Sequence, residues 1–135
     1  MKIYLDTNVF LDMIVPRDNR QDNVNALRVI KLAGTGKFQF CISPLSVSTA
    51  YYVLRKDCEL AKRIQDKLQF LSVVPMAEND VRFSVFFDYP DREDAMQMSC
   101  AQNADCEMIL TRNPRHYANS PVPYLSPEEF LSRLG

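Results

Sequence analysis

Three short segments of this chain carry side chains able to hold a hard metal ion. Ile3-Tyr4-Leu5 is an apolar, strand-like run that stops at Asp6-Thr7-Asn8. Met108-Ile109-Leu110 is a second such run, stopping at Thr111-Arg112-Asn113. Between them, Asp91-Arg92-Glu93-Asp94-Ala95 opens a helical stretch in which Asp91 and Asp94, three positions apart, share one face. That face turns apolar at Met98 and Ala101, so the helix body packs in a core and its acidic first turn stays at an exposed mouth. In a parallel sheet, strand ends converge on one crevice at the carboxyl edge. A cluster of oxygen ligands there is what Mg²⁺ or Mn²⁺ requires. The same residues have a plainer use, because Asp6 or Thr7 is also a good cap for the next helix.

The elements that must position these residues alternate along the chain. After the first strand, Val9 to Val15 is a short helix stopped by Pro16. Val24, Leu27 and Ile30 recur at helical spacing until Gly34 and Gly36, and Phe38 to Ile42 is a strand. Ser43-Pro44 starts a helix running to about Arg55, and another carries Leu60, Ile64 and Leu68. Leu71 to Val74 is a strand, Asn79 or Asp80 starts a helix through Phe86, and the acidic helix runs from Asp91 to Asn103. Strand Met108–Leu110, an extended piece at 122–124 and a helix capped by Ser126-Pro127-Glu128-Glu129 complete the chain. The longest loop is expected between Arg115 and Pro123. This order predicts an α/β fold: one domain over residues 1–135, a central parallel sheet of about four to five strands, and helices on both faces.

Bulk properties narrow the function. The formal net charge is −1, from 16 basic and 17 acidic residues, so the chain does not hold nucleic acid by net charge alone. A metal-dependent nucleic-acid enzyme remains compatible, because an acidic site lowers the net charge. No apolar run is long enough to span a membrane, and Asp6 and Asn8 interrupt any signal-peptide core, which points to a cytoplasmic protein. Cys41, Cys58, Cys100 and Cys106 show no C-x-x-C spacing and read as free thiols. Gly34-Thr35-Gly36-Lys37 mimics a phosphate loop, but Lys31 and Phe38 occupy positions where that motif needs Gly and Ser or Thr. His116, the only histidine, reads as a loop residue. Arg55, Lys56, Lys62, Arg63 and Lys67 read as a solvated helix face.

Taken together, the segments resemble the PIN-domain ribonucleases, including the VapC-like toxins of toxin–antitoxin pairs. Tyr4-Leu5-Asp6-Thr7-Asn8-Val9-Phe10-Leu11 is similar to that family's first motif, and Asp91-Arg92-Glu93-Asp94-Ala95 to its third. Residues 104–114, ending in Thr111-Arg112-Asn113-Pro114, are similar to the fourth, and Leu125 to Leu131 to the C-terminal segment. The resemblance covers nearly the whole chain. It implies a Mg²⁺- or Mn²⁺-dependent ribonuclease with Asp6, Asp91 and Asp94 as catalytic and metal-holding acids. Asn113 is implied as a further metal ligand, with Thr7, Asn8, Thr49 and Thr111 supporting from behind. Arg112 and Arg115 are the implied RNA contacts at the site mouth, and Tyr51, Tyr52 and Tyr117 are candidates for base stacking, though Tyr is more often core or rim in a domain this size. RNA, an antitoxin protein and a second copy of the chain are the implied partners, with no membrane.

One departure stands out. The family's second motif usually carries a Glu on the helix after the second strand. Here that helix reads Ser43-Pro44-Leu45-Ser46-Val47-Ser48-Thr49-Ala50-Tyr51-Tyr52, with Thr49 at the Glu position. An alternative therefore stands beside the enzyme: a catalytically weak or inactive PIN-like module that binds RNA or a protein. A phosphatase of the Asp-x-Asp class is disfavoured, since Asn8 follows Thr7.

Overall fold

Successive side chains of the central strands enter two different cores, and this alternation organises the molecule. In the computed structural model, which describes residues 1–14 and 20–135, the first strand β1 spans Lys2–Leu5. Its Ile3 and Leu5 join one apolar cluster and Tyr4 joins the other. Strand β2 (Gln39–Ile42) repeats this, with Phe40 and Ile42 on one side and Cys41 on the other. Strands β3 (Leu71–Val73), β4 (Met108–Leu110) and β5 (Tyr124–Leu125) complete a sheet of order β3-β2-β1-β4-β5. All pairings are parallel. A strand covered on both faces is apolar at consecutive positions, which is why the runs at 3–5 and 108–110 are continuous.

Helices cover both faces, as the sequence predicts. Helices α1 (Thr7–Ile14), α2 (Arg20–Lys31), α3 (Pro44–Val53), α4 (Leu60–Leu68) and α7 (Pro127–Leu134) feed the first cluster. Helices α5 (Glu78–Phe86) and α6 (Arg92–Asn103) feed the second. The chain moves outward from β1 to β2 to β3, then returns across the opposite face through α5 and α6 to place β4 on the other side of β1. Right-handed crossovers force this change of face when the direction reverses. The reversal opens a crevice at the carboxyl ends of β1 and β4, the usual ligand position in such sheets.

Some boundaries move. Helix α5 begins at Glu78 behind Ala77, ahead of the expected Asn79 or Asp80. Asp80 is buried and works from inside the helix: it accepts from the Ala77 amide at 2.8 Å, from Ser99 at 2.7 Å and from Asn103 at 2.9 Å, tying α5 to α6. The last strand lies at 124–125, two residues beyond the start of the expected extended piece. A 3-10 turn, Pro114–Tyr117, occupies the start of the expected long loop. Gly36 ends a 3-10 turn in the left-handed region (φ 75°), consistent with its reading as a stop signal. Val15 and Pro16 lie outside the described residues. Among those described, no helix is long and apolar enough to cross a membrane.

Candidate active site

Asp6 is placed by two strands at once. It follows β1 directly, and its amide donates to the Leu110 carbonyl at 2.9 Å, extending the ladder to β4. Its carboxylate is buried, with 1% of its surface exposed. Thr111 Oγ1 donates to Asp6 Oδ2 at 2.7 Å, and Gln97 Nε2 donates to Oδ1 at 2.9 Å. Helix α1 receives its first bonds from Asp6's backbone, whose carbonyl accepts from Val9 and Phe10. The capping role fits a different acid: Asp91 is the N-cap of α6, and its Oδ1 accepts the Asp94 amide at 2.9 Å.

A cavity of about 230 Å³ gathers the expected residues. Asp6, Thr7, Asn8, Thr49, Asp91, Asp94 and Asn113 all line it, as do Glu93, Gln97 and His116. Four of these side chains are carboxylates, and no Lys or Arg is among the lining residues. The tightest set is Asp91, Asp94 and His116, whose ligand atoms lie within 4.8 Å of one another. Asp6 and Asn113 line the same space outside that set. Burial and then the charge of Asp6 push the Asp94 carboxyl up to about 6, against a lowering hydrogen bond from His116. Burial raises Asp6 as well, opposed by its bonds from Thr111 and Gln97. Among the lining residues only His116 is a basic group, and a divalent cation would supply the missing counter-charge. Hard carboxylate oxygens, one amide and one imidazole are a donor set suited to it.

Sequence analysis gave Glu93, Gln97 and His116 no role, and two of them touch the expected acids directly. His116 was expected to be an ordinary loop residue; its Nδ1 stands 2.9 Å from Asp94 Oδ2, because the 3-10 turn after β4 folds it back over the cavity. Gln97 is buried at the centre of the site. Its Oε1 accepts from the Thr7 amide (3.1 Å), Thr7 Oγ1 (3.1 Å) and Tyr4 Oη (3.2 Å), so its amide group is aimed at Asp6 and Asp94. A signal existed for Gln97: it sits three residues after Asp94, a polar residue beside Met98 on the core-facing side of α6. Thr7 therefore orients Gln97, and through it Asp6. Thr111 in turn accepts from the Asn113 amide at 3.0 Å.

Other expectations need correction. The guanidinium of Arg112 is held by Asp12 at 2.7 Å and Asp22 at 3.4 Å and lines a different cavity, so it is not at the acidic mouth. Its neighbours on α1 and α2 supply carboxylates that the linear motif does not reveal. Tyr117 is fully buried and unavailable for stacking. Burial, then the charges of Asp6 and Asp94, raise its phenol well above the ordinary value. Tyr51 and Tyr52 are exposed on α3, with Arg55 4.9 Å over the Tyr52 ring, and Arg115 is exposed beside His116. Cys41, Cys100 and Cys106 are buried and Cys58 exposed, all as free thiols.

The PIN domain family model matches residues 2–115. The chain belongs to the PIN-domain family. It is 28% identical, over 140 aligned positions, to Ribonuclease VapC1 of Aquifex aeolicus (strain VF5), covering 98% of this chain and 94% of that relative. A toxin–antitoxin complex from Klebsiella pneumoniae contains a chain of like fold, with TM-score 0.69 and 20% identity over 93% of this chain and 97% of that one. VapBC2 from Rickettsia felis, bound to a DNA fragment from the pair's promoter, gives TM-score 0.67 and 16% identity over 93% and 98%. Thr49 on α3 lines the cavity without bringing charge to it.

Proposed function

We propose that this PIN domain is a metal-dependent endoribonuclease and the toxin of a toxin–antitoxin pair. The observation that carries the reading is the carboxylate cavity at the β1/β4 switch point, which has four acids and no basic lining residue other than His116. The name of the Aquifex relative supports RNA as substrate, and the complexes among the structural relatives support an antitoxin protein as partner.

A bound Mg²⁺ or Mn²⁺ ion would polarise a phosphoryl oxygen and acidify a water for phosphodiester hydrolysis. Asp91, Asp94 and His116 would hold the ion, with Asp6 and Asn113 lining the same cavity from the strand ends. An imidazole ligand favours Mn²⁺ over Mg²⁺, whose preference is for oxygen. Gln97 fixes the separation of Asp6 and Asp94 by donating to both, at 2.9 and 3.5 Å. Thr111 locks the remaining oxygen of Asp6, and Asn8 offers a neutral amide at the wall. Arg115 receives the RNA backbone at the mouth, where a charged contact positions substrate without reading sequence.

The test is cleavage of a labelled RNA by purified protein in Mn²⁺. Asp6→Asn and Asp94→Asn are expected to abolish it, and so is EDTA. Cleavage that survives EDTA would overturn the metal reading. The neutral Thr49 favours a second reading, a non-cleaving module; RNA binding with no product at any Mn²⁺ concentration would establish it.

A further inference from the structure

The acid absent from α3 has a replacement on the facing helix. Thr49 stands at the cavity wall as a hydroxyl, and that hydroxyl donates to Glu93 Oε1 at 3.1 Å across 44 residues of sequence. Glu93 lines the same cavity from the first turn of α6, two positions from Asp91 and one from Asp94. Sequence motifs single out Asp91 and Asp94 in this turn and give Glu93 no role. Among the described residues, no Lys, Arg or His side chain forms an ion pair with it.

We propose that Glu93 supplies the carboxylate that α3 lacks, with Thr49 as its holder. This rests on the metal-dependent reading above. The argument is one of charge and geometry. Divalent affinity depends on the number of carboxylates at the site, and Glu93 raises the cavity from three to four. A long exposed side chain contributes little if it swings freely. A hydroxyl donating to one oxygen holds its rotamer and leaves the other oxygen open. Glu93 sits outside the tight set of Asp91, Asp94 and His116. Its carboxylate would therefore act on a bound cation through the water shell that such an ion keeps. The identity of residue 49 then follows: an acid there would set a second negative charge beside Glu93, and neighbouring carboxylates repel, whereas a donor stabilises it.

The experiment is Mn²⁺ titration calorimetry on four proteins: the natural chain, E93Q, T49E and T49E/E93Q, each checked for folding by circular dichroism. E93Q is expected to bind Mn²⁺ about 10-fold more weakly, the usual cost of losing a group behind the ligands. T49E alone is expected to gain little, because its new charge meets Glu93. T49E/E93Q is expected to recover most of the loss, because the acid has moved from α6 to α3. Natural-strength binding by E93Q would overturn the proposal. So would a tightening by T49E as large in the natural chain as in E93Q, since the two positions would then be independent. If the natural chain binds no Mn²⁺ at millimolar concentration, the metal-dependent reading itself fails, a result distinct from either.

Discussion

Two acidic clusters lie at opposite ends of α1, and they are neutralised differently. Near its far end, buried Asp12 and half-buried Asp22 gather around Arg112, whose guanidinium lies 2.7 and 3.4 Å from them. At its start, Asp6 is equally buried, yet its partners are the neutral Thr111 and Gln97. Asp94, beside it, meets the imidazole of His116 at 2.9 Å and a longer bond from Gln97 at 3.5 Å. At the Arg112 cluster the chain provides its own cation. At the cavity it provides neutral donors that aim Asp6, and no Lys or Arg lines the space. Neutral donors hold a carboxylate in place without neutralising its charge.

The contrast can be broken by mutation. Arg112→Ala removes the guanidinium that lies 2.7 Å from buried Asp12, and loss of one partner from a buried pair costs up to about 3–5 kcal/mol. Urea unfolding is expected to show a loss of that order; a change below about 1 kcal/mol would remove the distinction between the clusters.

Asp94→Asn is expected to act in the opposite sense on the metal-free protein. The folded Asp94 keeps its proton up to about pH 6, while its ordinary value is 3.8. Between these values the native state binds more protons than the unfolded chain, so stability from this group rises as pH falls through the window. Above it, the ionised carboxylate is a penalty of up to about 3 kcal/mol by the usual conversion. Chemical denaturation in EDTA should therefore find Asp94→Asn more stable than the natural chain at pH 7, with the difference gone near pH 4. A difference independent of pH would refute the electrostatic origin.

Adding Mn²⁺ is expected to stabilise the natural chain, by about 2.7 kcal/mol when the free ion is a hundred times its dissociation constant. His116→Ala should lower affinity about tenfold, removing about 1.4 kcal/mol of that gain. Equal thermal shifts in the two proteins would remove His116 from the ligand set. The smallest effect belongs to Asp91, which both caps α6 and faces the cavity. Asp91→Ala is expected to cost about 1 kcal/mol of stability. Asp91→Ser should restore the cap but not Mn²⁺ affinity; recovery of both would leave Asp91 a cap alone.

Much of the fold was legible because its determinants are local. Short continuous apolar runs show the buried strands, helical spacing shows α2, α4 and α6, and Ser126 with Glu129 marks the start of α7 by a capping box that the structure contains. The order of strands and helices then restricts the topology through crossover handedness. The cavity acids were legible for a related reason: Asp6 and Asp94 sit at the ends of regular elements, whose direction local pattern sets. What tertiary structure alone decided are the partners. Gln97 meets Asp6 across 91 positions, Thr49 meets Glu93 across 44, and His116 meets Asp94 across 22. Arg112 was assigned to the mouth on its nearness to Asn113 in sequence, and the fold turned it to α1 and α2. Neighbouring residues after a strand point in different directions. Which charge a side chain meets depends on the crossover that brings a distant helix within about 3 Å, and no spacing along the chain encodes that.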